Sequence, residues 1–330
     1  MKEKEEEVLT ISEICLKGKE NFKKMGVEWL YPGGKVGTSV AANRRLLDYL
    51  FFEPNFFDPL PADTSFTLFG RKFDTPVFCS AISRRPYMSE TSLPEIAAGV
   101  AGAGSFIMLG IGGSSELQAA IDTGAPVVKI VKPYQNMELI YKKVRDAEKR
   151  GCVAVGMDVD HSFGMLMKDR VMNTKLFGPQ NTEELKQLIS QSKLPFVFKG
   201  VLSVSDAQKA LDLGASAIVV SNHGSGAFDF TIPSMMALPK IVEKIGAELA
   251  VLLDTGFETG NDVFKGLAFG AKGVGFASSM VLAHAADGAR GVELLIHQIT
   301  SELRRTMSAT GCKDLTEINR AIIHQIGPME

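Results

Sequence analysis

The chain has 330 residues, 45% hydrophobic and 22% charged. That is near the globular average and enough to bury a sizeable core, which excludes a disordered chain and a disulfide-stapled miniprotein. Its 36 basic and 38 acidic side chains leave a formal net charge of -2, which offers no global attraction to nucleic acid or an anionic membrane. Cys15, Cys79, Cys152 and Cys312 are scattered without CxxC or short Cys/His spacing. They write neither a zinc site nor a disulfide framework, and buried free thiols in a reducing compartment are expected. The charged opening MKEKEEEVL is unlike a signal peptide, and no apolar run approaches the ~20 residues of a membrane span. A cytoplasmic protein with no membrane partner is expected.

Residues 5–30 read as one or two helices, YPGGKVG as a turn-rich loop, and LLDYLFFEPNFFDPLPADTSFTLFG as an extended segment covering the base of the domain after it. From about residue 73, eight short apolar runs alternate with helical patterns: 75–82, 104–110, 126–131, 152–160, 195–200, 216–222, 249–256 and 273–278. Most are continuous in apolar and β-branched residues, as strands covered on both faces are. NMELIYKKVRDAEKRG predicts a helix from Asn136 to Gly151, and SDAQKALDLGA one from Ser205 to Gly214. Trp29, Met235 and Met236 read as core. The tail 291–323 reads as a helix, a TGC turn and a short closing helix, and His284, His297 and His324 fall on helical stretches. Eight strand–helix units predict a (β/α)8 TIM barrel over residues 73–330, with residues 1–72 as an N-terminal extension packed on it, one domain in all. An open doubly wound sheet is the alternative; no GxGxxG follows any strand, which counts against it.

The strands end in polar residues: Ser80, Lys132, Asp158 with Asp160, Lys199, Ser221 with Asn222 and His223, Asp254, and Ser278. Polar groups at C-terminal strand ends are what a barrel's active face presents. Lys199 follows four apolar residues into a desolvating place; it either holds an anionic cofactor atom or, if neutral, acts as an amine nucleophile. His223, followed by glycine, suits a general base that a substrate can approach closely. Asp254, Thr255 and Gly256, with Ala277, Ser278 and Ser279, suit a phosphate held by backbone amides. Asp158, Asp160 and His161 are either metal ligands or ion-pair partners of Lys199 or Lys129; the latter is favoured and no metal is assigned. Arg84 and Arg85 are either an anion contact or a solvated pair.

LPFVFKGVLSVSDAQKALDLGASAIVVSNHGSGAFDF, followed by LLDTGFETGNDVFKGLAFGAKGVGF, resembles the FMN-dependent α-hydroxy acid oxidase/dehydrogenase family (glycolate oxidase, lactate oxidase). AANRRLLDYLFFEP and SELRRTMSATGCKDLTEI carry the resemblance over nearly the whole chain. It implies FMN in a TIM barrel, a small-molecule substrate and a homo-oligomer, tetramer or octamer. Lys199 would meet the N1/O2 side of the flavin, and His223 would take the substrate's hydroxyl proton while hydride passes to N5. Ser80, Ala81 and Ile82 would edge the ring, with Ser221 near the ribityl chain. Asp254, Gly256, Ala277 and Ser278 would line the phosphate pocket, and Lys129 and Asp158 would stand near the flavin.

The departures from the family pattern are specific. Gly226 replaces the arginine that clamps the substrate carboxylate, and Trp29 or Leu30 replaces a substrate-binding tyrosine. Glu258 and Ser278 replace two phosphate-site arginines, Lys129 a glutamine, and Asp158 or Met157 a threonine. They imply an atypical substrate and a phosphate held without its cations. The expected function is an FMN oxidoreductase acting on something other than a simple α-hydroxy acid. The alternatives are a non-redox lyase or isomerase using Lys199, and a non-catalytic, partner-dependent barrel that has lost this chemistry.

Overall fold

The computed structural model describes residues 9–27, 37–57, 59–85, 87–167 and 170–327. Trp29 and Leu30 lie outside them. Eight parallel strands close into a barrel: β1 Val77–Ile82, β2 Ile107–Leu109, β3 Val127–Val131, β4 Ala154–Asp158, β5 Phe196–Val201, β6 Ala217–Val220, β7 Ala250–Asp254 and β8 Gly273–Phe276, which pairs back to β1. This is the expected TIM barrel. The apolar runs are strands because both faces are covered: Val127, Val131, Val155 and Ile218 meet the helix layer, whereas Val128, Ile130, Ala154 and Val219 fill the interior.

Among the described residues, α1 Ile11–Lys24 and α2 Thr38–Asp48 precede the barrel. The outer layer comprises α3 Ser92–Gly102, α4 Ser114–Ile121, α5 Met137–Arg150, α6 Thr182–Gln191, α7 Val204–Asp212, α8 Ser234–Ile245, α9 Gly260–Ala268 and α10 Ser278–Ala309. The caps follow from side-chain chemistry. Asn136 accepts from the Leu139 amide, and Gly151 closes α5 at φ 86°, a backbone region that costs a residue with a Cβ. In α7 the cap is Ser203, whose hydroxyl accepts from the Asp206 amide, two residues before the expected start at Ser205. α10 breaks at Asp287 and Gly288, which have non-helical dihedrals.

The barrel base is closed by a hairpin, Phe66–Leu68 paired with Arg71–Phe73, whose Leu68 and Phe73 pack on the inner core. Phe73 lies 5.1 Å from Phe106, which stacks on Phe78 at 4.7 Å. Leu50–Phe52 pairs antiparallel with Ile323–Gln325, so the expected closing helix is one short turn, Arg320–Ile322, followed by a strand. His324 is therefore a strand residue, exposed beside Glu53, because the tail's edge pairing replaces helical bonding. Met235 is buried on α8, while Met236 on the same helix is exposed. Cys79, Cys152 and Cys312 are buried thiols and Cys15 is half-buried. Among the described residues no helix is long and apolar enough to cross a membrane.

Candidate active site

Alternation by two along each strand sets the chemistry of the barrel mouth. The inner face carries Phe78, Ile130, Val197, Val219 and Leu252. Two residues on, the same face carries Ser80, Lys132, Lys199, Ser221 and Asp254, and four residues on from Ala154 it carries Asp158; all six are buried. An apolar floor thus passes into a layer of buried charge at the C-terminal strand ends.

Lys199 Nζ lies 3.4 Å from Asp254 Oδ2 and 3.8 Å from Asp158 Oδ1, and it donates to Ser221 Oγ at 3.3 Å. Ser80 Oγ donates to Asp254 Oδ2 at 2.5 Å. Lys132 Nζ donates to Asp158 Oδ2 at 2.7 Å and to His161 Nδ1 at 2.6 Å. An ammonium has no lone pair, so His161 must accept at Nδ1 and carry its proton on Nε2. The His161 ring lies 4.2 Å from that of His223. His223 Nδ1 is 2.9 Å from Asp160 Oδ2, which puts the proton on Nδ1 and leaves Nε2 with the lone pair. Lys199, 3.3 Å from the same Nδ1, is then an electrostatic neighbour. His223 and Ser225 hold left-handed backbone at φ 54° and 65°, strain of the kind that collects at functional loops.

Burial works against the charge of Lys199, but Asp254, Asp158 and Asp160 outweigh it and raise its pKa. Burial likewise opposes ionisation of Asp158, yet Lys132, His223 and Lys199 hold it well below the usual carboxylate range. Asp160 is lowered to about 2 against its burial, by the charge and hydrogen bond of His223. His161 is pushed down to about 3 by burial, with His223 and Lys132 adding to it.

The last shift predicts acid lability. The unfolded chain protonates His161 near its ordinary 6.5 and the folded protein only near 3. Stability from this group is therefore complete above pH 6.5 and falls as pH drops towards 3, by about 4 kcal/mol over the interval. Urea unfolding at pH 7, 5.5 and 4 measures it, and His161→Gln flattens the dependence.

Asp158, Asp160, His161 and His223 bring ligand atoms within 4.8 Å of one another, a spacing that a metal ion also uses. Two ammonium groups already stand among these atoms, Lys132 and Lys199, and a divalent ion would have to displace them.

The other expected site residues divide in two. Ala81 and Ile82 extend β1 past Ser80, and Gly256, Ala277 and Ser278 follow the ends of β7 and β8. Gly256 sits at φ 90°, where a Cβ would lie 2.7 Å from that of Asn43 on α2. Its carbonyl accepts from Arg44, which also clamps Asp262 with two bonds of 2.7 and 2.9 Å. Asp229, in the loop after β6, accepts from the Thr38 and Ser39 amides and so caps α2. Through these contacts α2 ties down the loops after β6 and β7. Gly226 closes the turn after His223, and a Cβ there would meet the His223 carbonyl at 2.9 Å.

Lys129 stands apart. Alternation places Ile130 inward, so Lys129 turns to the helix layer, where its ammonium donates to the Gly110 carbonyl. Asp158 pairs with Lys132 and Lys199 instead. Arg84 leaves the mouth to pair with Glu116 at 3.1 Å, and Glu258 is exposed. Lys132, read from the sequence only as a polar strand end, is central to the cluster; the inward parity of Ile130 and Lys132 is the signal that selects it over Lys129. Burial, with Lys143 adding to it, lowers the Lys129 pKa from 10.5 to about 8. Below pH 8 the folded state bears the full cost of that charge, and the cost is relieved as pH rises towards 10.5. Lys129→Met is expected to stabilise the protein at pH 7 by about 3 kcal/mol, with the gain shrinking at pH 9.5. Urea unfolding at both pH values checks the sign.

The model of a family described as FMN-dependent dehydrogenase matches residues 18–176 and 165–325. Glycolate oxidase from Spinacia oleracea is 26% identical over 354 residues, 96% of each chain. L-lactate dehydrogenase from Caulobacter sp. (strain K31) is 44% identical over 141 residues, 43% of this chain and 37% of that protein. Among solved structures, a mandelate oxidase variant with 2-hydroxy-phenylacetamide has a TM-score of 0.88 at 25% identity, covering 97% of this chain and 99% of that one. Mandelate oxidase with benzoyl-formic acid has a TM-score of 0.86 at 26% identity, covering 96% and 98%. With both halves of the barrel matched, the chain belongs to the FMN-dependent dehydrogenase family.

Proposed function

We propose that the protein is an FMN-dependent oxidoreductase that oxidises a small hydroxyl compound, with His223 as general base. The observation that carries it is the half-buried His223–Asp160 pair beside Lys199. The residues fit the cofactor. Asp254 Oδ1 is buried with no partner, beside Ser80 and Lys199, an arrangement that suits a polyhydroxylated chain. α10 has Ala277 as its N-cap, with no side-chain cap bond, so its first amides are available to a phosphate without an arginine. Lys199, Ser80, Ser221 and Asp254 would hold the ring and ribityl groups, backbone at Ala81 and Ile82 the ring edge, and Gly256, Ala277 and Ser278 the phosphate. Bound FMN supplies a two-electron acceptor for the hydride of the carbinol carbon.

The chain's own residues handle the proton. His223 Nε2 takes it from the substrate hydroxyl, and the imidazolium formed is met by Asp160 at 2.9 Å and Asp158 at 3.8 Å. Lys199 keeps its proton because three carboxylates outweigh its burial, and it supplies positive potential next to the reacting groups. The same fact counts against a lyase, which needs an unprotonated amine. The strained His223 loop, with its base already paired to Asp160, counts against a barrel without catalysis. With Gly226 in place of a clamp and Lys132 and Lys199 both paired, the mouth cluster offers a simple α-hydroxy carboxylate no unpaired ammonium, so the substrate is atypical.

The test is the visible absorption spectrum of purified protein, repeated after excess FMN and removal of the unbound fraction. A retained flavin band is expected. A protein that stays colourless after this treatment overturns the reading.

A further inference from the structure

Unspent hydrogen-bonding capacity in the mouth identifies the substrate class, an inference that rests on the oxidoreductase reading above. His161 is wholly buried, and its Nε2–H, fixed by the Lys132 contact, has no acceptor. Asp158 Oδ1 and Asp160 Oδ1, also buried, have no donor. Buried polar groups in folded proteins find partners, so these atoms await one that arrives with the ligand. The unmet set mixes one donor with two acceptors. A hydroxyl both donates and accepts, so it can meet the His161 N–H and one of the two oxygens; a carboxylate only accepts and leaves both aspartate oxygens unanswered.

Charge points the same way. Two ammonium groups, Lys132 and Lys199, face three carboxylates, Asp158, Asp160 and Asp254, one more carboxylate than ammonium. Lys132 is bonded to Asp158 and His161, and Lys199 stands against Asp254, Ser221 and His223. An entering anion would add to the excess in a desolvated site, where repulsion is least screened. Above this floor the loops after β4 and β6 leave the barrel on either side of β5, touch where His161 meets His223, and carry exposed Phe163, Phe228 and Phe230. Exposed aromatic side chains in these two loops suit an apolar substituent.

We propose that the substrate is a neutral vicinal diol bearing an apolar group, whose second hydroxyl accepts from His161 and donates to one of the two free aspartate oxygens while the first faces His223. His161 and Asp158 are then specificity-determining residues, and Lys132 a positioning residue that sets the His161 tautomer.

The probes are 1-phenylethane-1,2-diol and mandelate, which share a carbon skeleton and differ by CH2OH against a carboxylate. Titration calorimetry at pH 7 is run on FMN-treated protein, with the flavin band recorded on each sample. The diol is expected to bind about tenfold tighter or more, the scale of one buried hydrogen-bonded group gained against one misplaced charge. In His161→Leu the diol weakens about tenfold with mandelate unchanged, whereas His161→Gln, which keeps an N–H donor, restores most of the loss. Equal affinities, tighter mandelate or binding of neither overturns the proposal, as does a His161→Leu variant that weakens both ligands alike or neither. A missing flavin band counts against the oxidoreductase reading alone, since the ligand comparison is made within one sample.

Discussion

His223→Ala is expected to lower turnover by about 10²–10⁴-fold while the flavin band of the purified protein is unchanged. The loss is that of a base already oriented: Asp160 holds the Nδ1 proton at 2.9 Å, and the left-handed turn at His223 aims the ring from the end of β6. No described side chain replaces it, because His161 is kept neutral with its lone pair spent on Lys132. Asp160→Asn should act through the tautomer and lose less than His223→Ala, since an amide still bonds the ring but cannot balance the imidazolium. Steady-state rates with flavin absorbance on the same samples check both. An unaffected His223→Ala rate would remove His223 from the chemistry.

Asp158→Ala is expected to destabilise the fold by about 3–5 kcal/mol, the range for removing one partner of a buried ion pair. Asp158 is 1% exposed, with Lys132 at 2.7 Å and Lys199 at 3.8 Å. Its removal leaves Lys132 with only a neutral imidazole, while Lys199 keeps Asp254 at 3.4 Å. Denaturant midpoints at pH 7 measure the loss. The double variant Asp158→Leu with Lys132→Met should recover most of it, because removing both charges also removes their desolvation cost. A double variant as unstable as the single one would mean that the damage is to packing and not to charge.

The two expectations differ in where the sequence shows them. His223 is legible in the chain: a histidine after an apolar run, followed by glycine, reads as a strand-end base before any fold is known. The importance of Asp158 is not, because its partners come from two other strands, 26 and 41 positions away. Lys129 and Lys132, in β3 and one residue past its end, make the same point. Both are lysines in or beside an apolar run, and only the inward register of Ile130 decides that Lys132 joins the site while Lys129 is held under the helices.

Local pattern alone specifies the alternation of strands and helices, the caps at Asn136 and Gly151, the barrel class, and the polar strand ends Ser80, Asp158, Lys199, Ser221, His223 and Asp254. Each follows from periodicity and side-chain chemistry within a few residues, which act wherever the chain later goes. Barrel closure, by contrast, brings His161 against His223, bonds Ser80 to Asp254 across 174 positions, and lets Asp229 cap α2 from 190 positions away. The fold likewise ends the tail as a strand paired with Leu50–Phe52. These pairings depend on barrel closure, which fixes the neighbours and inward face of each strand, and no local pattern contains that geometry.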